Sequence, residues 1–382
     1  MKLVFVSNIL NHHQYSLCTA LQRYFEDFKF VSTERTVGIG YQAALDEAFV
    51  LHYENPENRR EIEELLIKAD VVIFGACPDN LIKLRMDENK LSFLYSERFF
   101  KKGCWRRFIP KVHKAVSNRI TQYKNKNIYV LCASAFLAYD LSLMGFPADK
   151  CFKWGYFPKV KRYDAIEKII NSKKEHTVLW AGRLLDWKHP DTAVRIAKRL
   201  KQNGYDFKLN IIGAGDMEQK LNKMISDYNL ENEVHMLGSM KPEQVREYMD
   251  QAQIYLFTSD RYEGWGAVLN EAMNSGCAVV AGSKIGSVPY LIKDGKNGFI
   301  YKDGDEEDLY RKVKLLLDKP NLCRKYGEQA YSTLADEWNA ETAAERFISL
   351  TNAILAQQRY DLFNNGPCSS AGILADNWRK QS

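Results

Sequence analysis

The sequence predicts an α/β protein built from two Rossmann-type domains, each a doubly wound parallel sheet. Three observations carry this. The chain has 382 residues, about twice the usual single-domain size. Short apolar runs alternate with amphipathic stretches, the pattern of strand and crossover helix. That alternation stops near the middle of the chain and then starts again. A composition of 46% hydrophobic and 27% charged residues suits two globular cores and excludes wholesale disorder, collagen-like repeats and coiled coils.

In chain order, Leu3–Ser7, Val71–Gly75 and Ile128–Cys132 are short apolar runs fit for buried parallel strands. Helical segments over Tyr15–Phe25 and Pro56–Ala69 separate them. Around 155–176 the periodicity breaks at Pro158 and the run Lys159-Val160-Lys161-Arg162. A second series follows, with strands at Thr177–Ala181, Leu209–Ile212, Ile254–Thr258 and Ala278–Ala281. Its first helix opens on Pro190, carries Ala193, Ile196, Ala197 and Leu200 on one face, and stops at Gly204. The expected division is 1–157, 158–337, a helix over 338–357 and a loosely ordered tail over 358–382. No apolar run approaches the length of a spanning helix, and Met1–Val6 lacks the features of a signal peptide, so a cytoplasmic protein is expected. The eight cysteines stand singly, without a Cys-x-x-Cys pair, and read as reduced, mostly buried thiols. The seven histidines have no metal spacing, and no metal is expected.

Chemistry concentrates where strands hand over to helices, the position at which open α/β sheets bind ligands. In Glu263-Gly264-Trp265-Gly266-Ala267-Val268-Leu269-Asn270-Glu271, two glycines allow a sharp turn with exposed N–H groups before a helix whose start favours phosphate. A helix running from Gly264 would place Glu271 almost two turns in, facing the loop, where its carboxylate suits a vicinal diol. A surface turn with an exposed glutamate is the plainer alternative. Arg183 and Lys188 flank a second such loop and would suit a diphosphate, or else be two solvated cations. Ile212-Gly213-Ala214-Gly215 invites a dinucleotide reading, but Glu218 occupies the third small-residue position of that fingerprint. The loop Ser7–Gln14 is polar, and His13 in it either hydrogen-bonds a sugar hydroxyl or moves a proton, or is a packed residue of a capping turn.

The net charge of +6 is an average over unlike parts. Residues 98–126 hold ten Lys/Arg and no Asp/Glu, interleaved with Phe99, Phe100, Trp105, Phe108 and Ile109. Basic residues around aromatic anchors suit an anionic membrane surface. Nucleic acid is the rival partner, but no nucleic-acid-binding motif accompanies the segment, and a solvated basic face is the third possibility.

Glu263 and Glu271, separated by seven residues, resemble the E-x7-E motif of the family 4 retaining glycosyltransferases, within a similar loop–helix–strand run from Glu263 to Val280. Cys277 and Ala278 depart from the small/Pro pair usual at its end. Gly182-Arg183-Leu184 with Lys188 is similar to that family's diphosphate-binding segment. Ile212–Gly215, Val234–Gly238, Gly286–Ile292 and Asp294–Phe299 are similar to its other landmarks. The resemblance is strong over about 177–300 and generic over 1–155.

It implies a GT-B architecture, two Rossmann-like domains facing across a cleft, and transfer of a hexosyl group from a nucleotide-diphosphate sugar, a UDP- or GDP-sugar, without a metal. By that resemblance Arg183 and Lys188 would hold the diphosphate with the backbone of Gly264, Trp265 and Gly266. Glu271 would hold the ribose and Glu263 the transferred sugar. Gly213, Gly215 and the Leu237–Met240 turn would border the nucleotide, and His13 would serve the sugar side, with the Tyr95–Arg98 segment as its rival. The leaving diphosphate would help take the acceptor proton, with retention of configuration. Asn11–Gln14, Tyr95–Arg98 and Trp154–Pro158 resemble bacterial transferases of surface-polysaccharide assembly (capsule, exopolysaccharide or O-antigen). The acceptor would then be a saccharide or a polyprenyl-diphosphate-linked sugar, and the protein peripheral on the inner face of the cell membrane through 98–126. A sugar-nucleotide epimerase or hydrolase on the same scaffold, or a nucleotide-sugar-binding pseudoenzyme, are the alternatives.

Overall fold

The computed structural model describes residues 1–34 and 47–380, which divide into two compact units. The first joins Met1–Lys159 to Trp338–Trp378, and the second runs from Val160 to Glu337.

The first unit has a seven-stranded parallel sheet of β1 (Lys2–Ser7), β2 (Asp27–Ser32), β3 (Val50–His52), β4 (Val71–Phe74), β5 (Ser92–Ser96), β6 (Ile128–Cys132) and β7 (Cys151–Lys153). Their order is β3-β2-β1-β4-β5-β6-β7, so the chain winds outward from β1 and reverses direction between β1 and β4. The central strands are apolar on both faces because helices cover both; β4 and β6 are buried at every position. Asn11 starts the first helix, His12–Tyr24, its Oδ1 accepting from the backbone N–H of His13.

The helix Ala340–Leu355 belongs to this unit, and Phe347 carries it onto the sheet. Its ring lies 4.9 Å from that of Phe93, 5.8 Å from Trp154 and 6.0 Å from Phe25. The segment beyond it differs from the loose tail expected over 358–382. Residues 368–371 run antiparallel to β7, with N–H to carbonyl bonds of 2.7 Å from Lys153 to Ser369, 2.8 Å from Cys368 to Lys153 and 2.9 Å from Ala371 to Cys151. Burial of Cys368 and Ala371 anchors this stretch, which covers an otherwise open sheet edge. Residues 381–382 of that tail lie outside the described residues.

The second unit has a six-stranded parallel sheet of β8 (Lys174–Ala181), β9 (Lys208–Ile212), β10 (Val234–Met236), β11 (Ala252–Phe257), β12 (Ala278–Gly282) and β13 (Phe299–Tyr301), in the order β10-β9-β8-β11-β12-β13. Here the winding reverses between β8 and β11. The helix Pro190–Gln202 buries Ala193, Ile196, Ala197 and Leu200 in the core. All eight cysteines are free thiols, six of them buried.

Candidate functional site

Two loops leave the carboxyl ends of β8 and β11, the neighbouring strands at the reversal of the second sheet. They are cross-tied by their backbones: Asp260 N–H donates to the Trp187 carbonyl at 3.0 Å. The Thr258 hydroxyl lies 2.7 Å from the Lys188 carbonyl and 3.0 Å from that of His189, and it accepts from the Trp180 indole at 2.8 Å. Across this seam the Lys188 ammonium meets Glu263 Oε2 at 2.6 Å, and Ser259 Oγ donates to the same oxygen at 2.8 Å. Both charged side chains are only 11–12% exposed. Arg183 is exposed and makes no ion pair among the described residues, so a cation stands available beside a pre-formed pair.

The turn after Glu263 differs from the expected helix. The helix begins at Val268 and ends at Asn274, which places Glu271 in its first turn. Gly266 at φ +80° keeps the chain in a turn, and a Cβ there would strike the Phe257 ring at 2.4 Å. Trp265 is fully buried, with its indole N–H donating to Asn270 Oδ1 at 2.8 Å, so it can offer a ligand only its backbone. The N–H groups of the buried Gly264 and the half-buried Gly266 have no partner among the described residues, leaving both as unpaired donors in this turn. Burial pushes the Glu271 carboxyl above its ordinary range, opposed by the Arg246 guanidinium. Arg246 also donates to the Glu271 carbonyl and to Asn274 Oδ1, at 2.5 and 2.7 Å.

Gly213 and Gly215 lie under the Arg183 loop rather than beside open space. Their φ values are +146° and +153°. A Cβ on Gly213 would sit 1.8 Å from the Gly182 carbonyl oxygen, and one on Gly215 2.6 Å from that of Leu184. Gly182 N–H donates to Ile212 and Leu184 N–H to Ala214, zipping the two loops together. Gly213 N–H in turn donates to Gly238 at 2.8 Å, so the half-buried Leu237–Met240 turn borders the same edge. These glycines position Arg183 through backbone contact.

In the first unit a cavity of about 540 Å³ opens at the carboxyl ends of β1, β4 and β5, beside the reversal of that sheet. Ser7, Asn8, His13, Glu34, Glu97 and Tyr156 are among the residues that line it. The His13 ring stacks on Tyr156 at 6.0 Å and 17°, and the Tyr156 hydroxyl donates to Glu97 Oε1 at 2.7 Å. Burial and the neighbouring His12 push His13 down to about 3, so its imidazole is neutral at physiological pH. His13 and Glu97, rivals in the sequence, thus line one cavity together.

The basic segment 98–126 is not uniformly a surface. Arg98 is buried in an ion pair with Asp140 at 2.8 Å and also meets Asp376 at 2.7 Å. Arg119 turns inward to the carbonyls of Gly75 and Cys77 and to Asp79, supporting the cavity. Trp105 and Phe108, by contrast, are 61% and 74% exposed, with the Arg107 guanidinium 4.2 Å over the Phe108 ring.

His189, Asp260, Ser259, Arg246 and Tyr156 were not legible as site residues. His189, Asp260, Arg246 and Tyr156 meet partners distant in sequence, while Ser259 meets Glu263 nearby. Tyr156 lies within a motif, His189, Asp260 and Ser259 lie next to one, and Arg246 lies outside every motif. Among the described residues no group of three or more His, Cys, Asp or Glu side chains is placed to hold a metal. No helix there is long and apolar enough to cross a membrane.

Residues 162–333 match the model of the family "Glycosyl transferases group 1". An amylovoran biosynthesis glycosyltransferase of Erwinia amylovora is 31% identical over 53% of this chain and 50% of its own length. A Campylobacter jejuni N-acetylgalactosaminyltransferase, named for a diacetylbacillosaminyl-diphospho-undecaprenol substrate, is 30% identical over 44% of this chain and 43% of its own. The chain spans about half the length of the curated relatives it matches. Among solved structures, HepE from Anabaena in complex with UDP superposes over 92% of this chain and all of its own, with a TM-score of 0.70 at 15% identity. Staphylococcus aureus TarM, solved with UDP, covers 74% of this chain and 55% of its own, with a TM-score of 0.56 at 22% identity. The two doubly wound sheets are those of the GT-B fold, and the match to the Glycosyl transferases group 1 model lies within the second unit, over residues 162–333.

Proposed function

We propose that the protein is a retaining hexosyltransferase of surface-polysaccharide assembly, taking its sugar from a UDP-sugar. The observation that carries this is the Lys188–Glu263 pair beside exposed Arg183 and the unpaired N–H groups of Gly264 and Gly266, within the matched domain. In this reading Arg183 and Lys188 hold the diphosphate and counter its charge as it leaves, a role that calls on no metal ion. Glu271 accepts from the ribose hydroxyls, and Glu263 from hydroxyls of the transferred sugar. The acceptor sugar occupies the cavity lined by His13 and Glu97. UDP in the related structures favours the uridine nucleotide.

The acceptor is carried on a polyprenyl diphosphate, and Trp105, Phe108 and the cations around them rest on the anionic inner face of the cell membrane. The Campylobacter relative's name and the exposure of both rings support this part.

A thermal-shift screen of UDP-, GDP-, ADP- and TDP-sugars tests the donor, since a bound donor stabilises by mass action. Stabilisation by UDP-sugars, and an α-linked product by NMR from an α-linked donor, is the expected result. Binding with hydrolysis or epimerisation but no transfer would establish the other enzyme class, and no shift with any nucleotide sugar would overturn the site.

A further inference from the structure

His189 closes the Lys188 loop and caps the helix Pro190–Gln202 with its backbone at φ 48°, ψ 50°. That left-handed conformation favours glycine and is disfavoured for a side chain with a Cβ. Glycine would meet the backbone requirement, so an imidazole here invites an account from its contacts. Its Nε2 lies 3.4 Å from Oδ2 of Asp260, on the loop that carries Glu263. The two loops are thus joined by two adjacent cross-pairs, Lys188 to Glu263 and His189 to Asp260. The charge of the second pair's cation depends on pH.

We propose that His189 is a positioning residue for the donor diphosphate: its imidazolium, clasped by Asp260, holds the Lys188 loop against the Glu263 loop. This rests on the donor reading above. The charges that raise the ring are acidic: Asp260 from the loop after β11, Asp191 from the helix it caps, and Asp186 from its own turn. Asp191 is itself engaged by Arg195 and Lys220 at 2.9 Å each, which leaves Asp260 as the principal partner. The Asp260 carboxylate lifts His189 above the ordinary histidine range. A pair of this sign is fully present below the ordinary value and is lost as pH rises through the lifted one. Donor affinity therefore falls with rising pH, and that dependence belongs to His189.

The test is the dissociation constant of UDP, or of GDP if only GDP stabilises the protein, measured by calorimetry between pH 5.5 and 8.5. Wild type is compared with His189→Gly, His189→Asn and Asp260→Asn, glycine and asparagine both being tolerant of the left-handed backbone. At pH 6 the variants are expected to bind about two- to fivefold more weakly, the scale of a part-exposed ion pair. By pH 8.5 they converge on wild type, and the ligand's own titration cancels in the comparison. Variants that parallel wild type at every pH would overturn the proposal, as would a uniform loss with unchanged slope, which marks a merely structural residue. If neither nucleotide binds wild type, the donor reading itself has failed, and this inference falls with it.

Discussion

The Lys188 ammonium and the Glu263 carboxylate form a 2.6 Å pair that joins two loops on adjacent strands, and Ser259 donates to the same carboxylate oxygen. In the proposed function a diphosphate and a sugar would each take one partner of this pair. Lys188→Ala leaves a nearly buried carboxylate uncompensated and should cost about 2–4 kcal/mol of stability, with loss of UDP binding. Glu263→Gln should instead release Lys188, tightening UDP while lowering sugar transfer. Chemical denaturation and UDP titration check both, and weaker UDP binding in Glu263→Gln would show that the pair does not compete with the ligand.

Glu271 and His189 share one pH sense for stability, both being raised in the fold, but have opposite senses for donor affinity. Its carboxyl is raised by burial, so it favours the fold while protonated, and stability declines as pH rises through its value. Glu271→Gln is expected to raise the Tm at neutral pH and yet weaken donor binding by about 1.5–3 kcal/mol, the scale of a charged hydrogen bond. Wild-type UDP affinity should fall on acidification, and the Gln variant should lose that limb. An unchanged limb would assign it to another carboxylate.

Gly213 cannot accept a Cβ without displacing the Gly182 carbonyl, 1.8 Å away, whereas a Cβ on Gly182 meets nothing closer than 3.4 Å. Gly213→Ala should therefore cost at least about 3 kcal/mol, combining overlap with a left-handed φ. Gly182→Ala should be far milder. Thermal unfolding of both variants separates them, and similar losses would contradict the zipped arrangement of the two loops.

His13, pushed down to about 3, carries no proton that titrates near neutrality. His13→Asn should lower transfer by weakening acceptor contacts, with the pH–rate profile between 6 and 8 unshifted. A profile that loses a limb in this variant would make His13 a proton-transfer group.

Trp105 and Phe108 should behave as one anchor. Replacing both with alanine, or neutralising Arg106, Arg107 and Lys111, is expected to reduce co-sedimentation with anionic liposomes at least about tenfold at low salt. Wild-type binding should weaken between 0.05 and about 0.5 M salt as screening grows. Binding that ignores both changes would remove this segment from any membrane role. Arg98 is the useful contrast: its pair with Asp140 is fully buried, so Arg98→Ala should cost about 3–5 kcal/mol of stability.

The sequence by itself determined the two-sheet α/β architecture and the places where chemistry concentrates. Buried parallel strands need continuous apolar runs, and the loops at their carboxyl ends must be polar or glycine-bearing, so both are written locally. Three-residue strands such as β7 and β10 were too short to carry a period, and the stretch 368–371 became an edge partner only because β7 was there to receive it. Which charges meet was likewise decided by tertiary structure. Nothing in the spacing of Arg98, Asp140 and Asp376 distinguishes a buried ion cluster from a solvated face, and the run 98–126 reads as uniformly basic until the fold turns Arg98 and Arg119 inward. The pairing of Lys188 with Glu263, and of His189 with Asp260, required β8 and β11 to be neighbours. Adjacency of strands separated by 70 residues or more is a property of sheet order, which local sequence does not encode.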